Sequence, residues 1–568
     1  MRLKKIIAVI TVVLIIDSLQ IAEACTNFMV TKGASTDGST MISYSADSHV
    51  LYGELYYKPA TDYPENAMMK IIEWDSGKPL GEIKQVRHTY AVVGNMNEHQ
   101  VAIGETTYGG REELSGPSGI IDYGSLMWIA LQRAKSAREA IKVMAELFNE
   151  YGYASSGESF SVSDPDEVWI MEMIGKGKGE KGALWVAMMV PDGYVCAHAN
   201  HARITTFPFQ KKNDWFNKKQ VVFHSPDVIS FAKSKGWYSG PDKDFSFSDV
   251  YAPVDFGGAR FCEMRVWAFF NAVNSEMAKY KDYAGGIIKH ESPYGFASNR
   301  LPLWIKPDRK ISNHDVMAFM RDYLQGTEFD MSKDFGAGPW DLPYRWRPLT
   351  FKVDGETYCN ERATATQQTG FVFVAQARNW LPDPIGGVFW FGVDDANLGV
   401  FTPMYCGIKS VPKAYAEGNG SMLEFTWESA FWVFNWVANF TYSRYNYMVT
   451  DVRKMQQELE NNYLSNLGII DEQARILYES DKEQAITFLT DYSVKMGEYT
   501  VKKWTELGQY LMVKYIDGNI KKEKDGKFQE NGYGIPVSPD QPGYPEKYLR
   551  KIAEDTGSKL KVLEEPKH

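Results

Sequence analysis

The sequence predicts an α+β fold, and three observations carry that prediction. Runs of β-branched and aromatic residues bounded by Gly, Asp, Asn and Ser recur between residue 25 and about residue 405, and read as strands, several of them joined as hairpins. Helical periodicity comes in blocks, at 124–152, again from 259, and continuously after about 425. Neither a P-loop nor a dinucleotide-binding glycine motif accompanies these elements, and there is no internal repeat, so doubly wound and repeat architectures are set aside. With 568 residues and 14% aromatic side chains, the chain can build an extensive core, as one large domain or more than one. A net charge of −10 argues against nucleic acid as a partner.

The chain opens with a basic stretch, Met1-Arg2-Leu3-Lys4-Lys5, then an apolar run at 6–16 and a small-x-small site at Ala22 and Ala24. This is the layout of a secretory signal peptide spanning 1–24, removed on export. The apolar run is too short to cross a bilayer as a mature helix, and no later run is long enough, so the mature chain is expected to carry no integral membrane segment. The expected location is the periplasm, the cell surface or the medium. Cleavage after Ala24 leaves Cys25 first. Its free α-amine, with a reference pKa of about 7.7–8.0, can then deprotonate its own thiol, near 8.5, without a histidine. Two other readings of Cys25 stand beside this one: a chance first residue, and a lipoprotein cysteine. The second is disfavoured by Ala22 three residues before it, where an aliphatic such as Leu is usual.

Taken in order, residues 25–30 read as a strand, Asp37-Gly38-Ser39 as a turn, and 40–45 as the returning strand that carries Asp47 back toward Cys25. Short strands follow at 55–59, 69–74 and 90–93, then a turn at Met96-Asn97-Glu98 leading to a strand that ends near Thr106 and Thr107. Residues 124–152 form two helices. Ser136 and Glu139 have capping-box spacing, Ile141, Met144 and Phe148 make one apolar face, and Gly152 is the stop. Residues 168–174 and 183–190 form a hairpin around the glycine-rich turn 175–179. The strand 195–199 ends in Asn200. His198 and His201, three apart on a strand, face opposite sides, which argues against a metal site. Residues 205–255 look irregular. A helix opens at Ala259 and carries Arg260 and Arg265, the latter read as structural. Strands return through 364–405. After about 425, two or three amphipathic helices run to about 517, with Phe431, Phe434, Val437 and Ala438 as a packing stripe. The last fifty residues read as loosely ordered around a short helix at 546–555. The expected division is thus 1–24, a catalytic part 25–424, a helical extension 425–520 and a tail 521–568. The five cysteines, Cys25, Cys196, Cys262, Cys359 and Cys406, form no CxxC or metal-like cluster. Cys25 is the odd one out, and the others are read as buried free thiols in preference to a Cys359–Cys406 bridge.

Cys25-Thr26, the Asp37-Gly38-Ser39-Thr40 turn, Asp47, the Asn97-Glu98 turn, His198-Ala199-Asn200-His201-Ala202-Arg203-Ile204 and Arg260 with Arg265-Val266-Trp267 occur in the order found in the dipeptidase A family. This is a family of cysteine-type N-terminal-nucleophile hydrolases related to penicillin V acylase and conjugated bile acid hydrolase. The chain resembles that family from Cys25 to roughly residue 515, with Tyr44 where the family usually has Arg. The resemblance implies a four-layer αββα sandwich and a thiol dipeptidase acting on small peptides, with no metal and no organic cofactor. It implies Cys25 as nucleophile, Asp47 orienting its α-amine, Asn200 and the backbone N–H of Thr107 as oxyanion donors, and Arg260 adding positive potential. N-acyl amide hydrolysis and a non-catalytic lipoprotein are the alternatives.

Overall fold

The computed structural model describes residues 25–563; the segment 1–24 read as a signal peptide lies outside them. Strands β1 (Asn27–Val30), β2 (Thr40–Asp47), β3 (Tyr57–Lys58), β4 (Val92–Val93), β5 (Met96–Asn97), β6 (Ala102–Tyr108), β7 (Gly157–Ser163), β8 (Val168–Gly175), β9 (Ala183–Met189), β10 (Val195–His198), β11 (Val222–His224), β12 (Trp304–Ile305), β13 (Thr369–Ala377), β14 (Val388–Val393) and β15 (Thr402–Tyr405) build two antiparallel sheets. One has the order β12-β10-β1-β2-β13-β14-β15, the other β11-β9-β8-β7-β6-β5-β4-β3. The sheets meet face to face where β1 and β2 cross β6 and β7.

Period-two side-chain alternation gives each sheet two buried faces. In β7, β8 and β9, Phe160, Val162, Trp169, Met171, Met173 and Trp185 point toward helices α1 (Tyr123–Arg133) and α2 (Ala137–Tyr151). Ile170, Ile174, Leu184 and Val186 point away from them and join the larger core. Helix α2 starts as its sequence indicates, with the Ser136 side chain accepting from the Glu139 N–H, and stops at Gly152 with φ of 75°. The other sheet is covered by α3 (Met264–Val273), α4 (Asn313–Met320), α5 (Ala430–Tyr442), α6 (Tyr445–Ser480) and α7 (Lys482–Lys514). The layers therefore run helix, sheet, sheet, helix, an α+β sandwich.

One sequence expectation is corrected and one is met. Residues 205–255, read as irregular, contain β11 and short helices at Val228–Ser234 and Phe247–Tyr251. These elements are shorter than a periodicity window and are held by ring contacts among Phe207, Tyr238, Phe245 and Tyr251. Cys359 and Cys406 are both free thiols, as read, although Cys262 and Cys359 are only half-buried. Cys359 ends the hairpin Thr350–Val353/Glu356–Cys359, and Cys406 is buried 3.1 Å from the carbonyl of Asp383.

The helices after 430 share the core of the sheet they cover. Phe431, Phe434, Val437 and Ala438 of α5 are all buried. Trp504 of α7 is fully buried, its ring stacked at 4.9 Å on that of Phe434. Polar ties run between helix and sheet: Asp471 of α6 accepts from Arg378 and from the Tyr405 hydroxyl, and Glu460 accepts from Arg321. Trp504→Ala is expected to remove about 3–5 kcal/mol of stability, as large core truncations do. Urea unfolding followed by far-UV circular dichroism measures it.

Candidate active site

The site begins with strand pairing. Met29 lies opposite Ile42 and Thr26 opposite Ser45, which sets Tyr44 and the end of β2 alongside Cys25. From the second sheet, β6 approaches closely because it carries Gly104. A Cβ there would fall 2.3 Å from Asn27 Oδ1 and 3.1 Å from the Tyr44 Cβ. The Asn27 amide donates to the Glu105 carbonyl at 2.6 Å, and the Glu105 side chain is thereby delivered to the cysteine.

Cys25 is 4% exposed, and its Sγ lies 3.6 Å from Glu105 Oε1 and 3.7 Å from the Tyr44 hydroxyl. The Tyr44 hydroxyl donates to the same Glu105 oxygen. Burial pushes the Glu105 carboxyl up to about 7, while Tyr44, Glu158 and Cys25 pull it back. Burial, with Cys25 and Glu105 beside it, also holds the Tyr44 phenol well above its ordinary value, so it stays a neutral donor.

Asp47 closes β2 and is buried. Arg362 donates to Oδ2 at 2.6 Å, Thr369 to Oδ1 at 2.6 Å, and Ser45 to Oδ2 at 3.0 Å. Asn200 follows β10 with φ of 52°, a left-handed conformation Asn tolerates better than most residues. Its amide donates to the Thr107 carbonyl at 2.8 Å, and its Oδ1 accepts from Arg265 at 2.9 Å. Thr107 directs its hydroxyl to Glu158 at 3.0 Å.

The arginine assignment is corrected. Arg265, read as structural, is 1% exposed and donates to the Cys25 carbonyl, to Thr26 Oγ1 at 2.8 Å and to Asn200. Arg260, read as the arginine near the nucleophile, instead pairs with Glu361, donates to the Gly285 carbonyl at 2.9 Å and lies over the Phe329 ring. The π-helical turn Gly258–Glu263 leads into α3 and decides which arginine faces inward. Burial, then Arg362, brings Arg265 down to about 10, still charged at neutral pH.

Two cavities meet here. One, of about 200 Å³, is lined by Cys25, Tyr44, Asp47, Trp74, Glu105 and Tyr123 among others. The second, of about 480 Å³, is lined by Thr107, Glu158, Asn200 and Cys262 among others. Asp75 and Tyr123 line both, the Tyr123 hydroxyl donating to Asp75 at 2.8 Å. The structure thus brings Cys25 and Asp47 to one cavity and Asn200 and Thr107 to the next, with Arg265 bridging Cys25 to Asn200. His198 joins the sheets, with Nδ1 at 2.7 Å from Thr106 and Nε2 at 2.8 Å from Ser161, and burial pulls it down to about 3. Among the described residues, no group of three or more His, Cys, Asp or Glu is placed to hold a metal ion. Sequence reasoning missed the roles of Tyr44, Glu105, Asp75 and Arg265. The one signal for Glu105 was a charge inside an otherwise uncharged strand, a residue type that is buried only with partners.

The model of peptidase family C69 matches residues 24–458. A "Probable dipeptidase" of Latilactobacillus sakei is 26% identical over 74% of this chain and 82% of its own length. "Probable dipeptidase B" of Lactococcus lactis subsp. lactis is 22% identical over 85% and 94%. "Dipeptidase A" of Lactobacillus helveticus is 24% identical over 69% and 77%. The chain belongs to peptidase family C69.

Arg265→Ala is expected to cost about 3 kcal/mol or more, because it strips this donor from the buried Cys25 carbonyl and from the half-buried Asn200 amide oxygen. Arg260→Ala, at a half-buried site, is expected to cost less than about 1.5 kcal/mol. Equilibrium unfolding of the two variants gives both values, and equal losses would return Arg265 to an ordinary packing role.

Proposed function

We propose that this C69 peptidase is an exported dipeptidase that forms an acyl-enzyme on Cys25 once the residues before it are removed. The observation that carries this reading is the position of Cys25: it lines a cavity together with Asp47, and its carbonyl is tied through Arg265 to Asn200. A buried cysteine in a cavity wall suits a nucleophile better than it suits a lipid anchor. The names printed for the relatives supply the substrate class.

In this reading the α-amine of Cys25 takes the thiol proton, and the thiolate attacks the peptide carbonyl. A C–S bond forms and the carbonyl electron pair moves onto oxygen. The Asn200 amide and the Thr107 backbone N–H meet that oxyanion. The Asn200 amide is pinned by Thr107 and Arg265, so it does not reorganise as charge develops. Collapse breaks the C–N bond, and the ammonium of Cys25 returns its proton to the leaving amine. Water then attacks the thioester, giving its proton to the same amine; the C–S bond breaks, the departing thiolate takes that proton back, and the first amino acid is released. Asp47, fixed by Arg362 and Thr369, orients the amine, and the Arg265 cation favours the thiolate.

Cys25→Ala is expected to abolish dipeptide hydrolysis with an unchanged melting temperature. Protein that keeps residues before Cys25, verified by intact mass, should be equally inactive, because its base is tied up in a peptide bond. Normal turnover by either sample overturns the mechanism.

Asn200→Ala should lower kcat by about 10²–10³ with little change in KM, the signature of a donor used only in the transition state. A variant with a lower melting temperature but normal kcat in its folded fraction would make Asn200 a strand-end pin only.

A further inference from the structure

The nucleophile's cavity has a charge pattern that its proposed chemistry does not use. Its lining includes four carboxylates, Asp47, Glu54, Asp75 and Glu105, and no Lys or Arg. Asp47 is neutralised from behind by Arg362. Glu105 has no such cation: the groups at its Oε1 are the Tyr44 hydroxyl and the Cys25 thiol. Its other oxygen, Oε2, is buried with no hydrogen-bond donor in place among the described residues; Glu158, which also acts on this side chain, is itself a carboxyl and brings no positive charge. A buried carboxylate oxygen without a donor is costly, and in a cavity wall it marks a place where a ligand donor belongs.

We infer that Glu105 anchors the α-ammonium of the substrate's N-terminal residue, and that this contact is what selects dipeptides over N-acyl amides. The inference rests on the reading of Cys25 as a dipeptidase nucleophile. Covalent geometry supports it. In a dipeptide the ammonium nitrogen is two bonds of about 1.5 Å from the carbonyl carbon under attack. Wherever Sγ meets that carbon, the ammonium lies within a few ångströms of Sγ. A carboxylate that holds it must stand beside the sulfur, and Glu105 Oε1 is 3.6 Å away. An ammonium there forms a charge-assisted hydrogen bond, stronger than a neutral one. A carboxyl poised at about 7 ionises readily as a cation arrives. Asp75, on the same wall and held by Tyr123, adds negative potential. Trp74, Tyr56 and Tyr123 complete the cavity and suit an apolar or aromatic side chain on that first residue.

The test compares Phe-Gly with its desamino analogue, hydrocinnamoyl-glycine, which differs only in lacking the amine. Wild-type mature enzyme should favour Phe-Gly in kcat/KM by at least about 10²-fold, as sites built around one polar group of the substrate do. In Glu105→Gln, folded by circular dichroism, that preference should shrink to within about threefold. Should Glu105→Gln not fold, Glu105→Asp, which withdraws the charge by one methylene, should reduce the preference about tenfold. Wild-type enzyme that cleaves both compounds alike overturns the inference. So does a folded variant that slows both equally, since Glu105 would then serve the α-amine of Cys25 instead. Wild-type enzyme inert toward Phe-Gly and every other dipeptide tried overturns the underlying dipeptidase reading, a separate outcome.

Discussion

The guanidinium of Arg265 holds the cleft together. It sits in the interior and spends its planar fork on four acceptors from three parts of the chain: the Phe261 carbonyl, the Cys25 carbonyl, the Thr26 hydroxyl and the Asn200 amide oxygen. A buried cation is tolerated only with such satisfaction. The same bonds fix the start of β1 against the end of β10, so the cysteine and the amide that faces it cannot drift independently. Lysine, a point charge on a flexible stem, could not bridge these groups in one plane.

Around that cation the charges are sorted. On one side Arg362 couples to Asp47, and burial, with Arg362 nearby, lowers Arg347 to about 10. On the other, Glu105, Glu158 and Asp75 face the cavities with hydroxyls as their partners, Tyr44, Thr107 and Tyr123 respectively. The thiol lies at the seam. Positive potential behind it favours thiolate, and negative potential in front attracts a cationic substrate end. Neither arrangement survives in water-exposed positions, where such fields are screened, which is why the constellation is assembled on two packed sheets.

Much of this was legible in the sequence. The strand–turn–strand pattern through Asp37-Gly38-Ser39, the α2 cap at Ser136, its stop at Gly152 and the stripe at Phe431, Phe434, Val437 and Ala438 all depend on local propensity and spacing, and the structure has each of them. What escaped depends on contacts between distant segments. Residues 260 and 265 stand at unlike angles on a helix, and only the π-helical turn before α3 settles which points at Cys25. Glu105 meets Cys25 because Gly104 lets two sheets approach, a fact carried by neither strand alone. The short elements within 205–255 are held by aromatic contacts, not by their own periodicity.

Tyr44 ties these strands of argument together. The resemblance leads one to expect arginine at this position. Arginine beside Glu105 would neutralise it with a permanent charge. Tyrosine gives Glu105 a hydrogen bond but no charge, so the carboxyl keeps its capacity to accept a cation. The departure at Tyr44 therefore leaves the negative potential of the Glu105 side of the cavity in place, which is the condition the proposed ammonium contact requires.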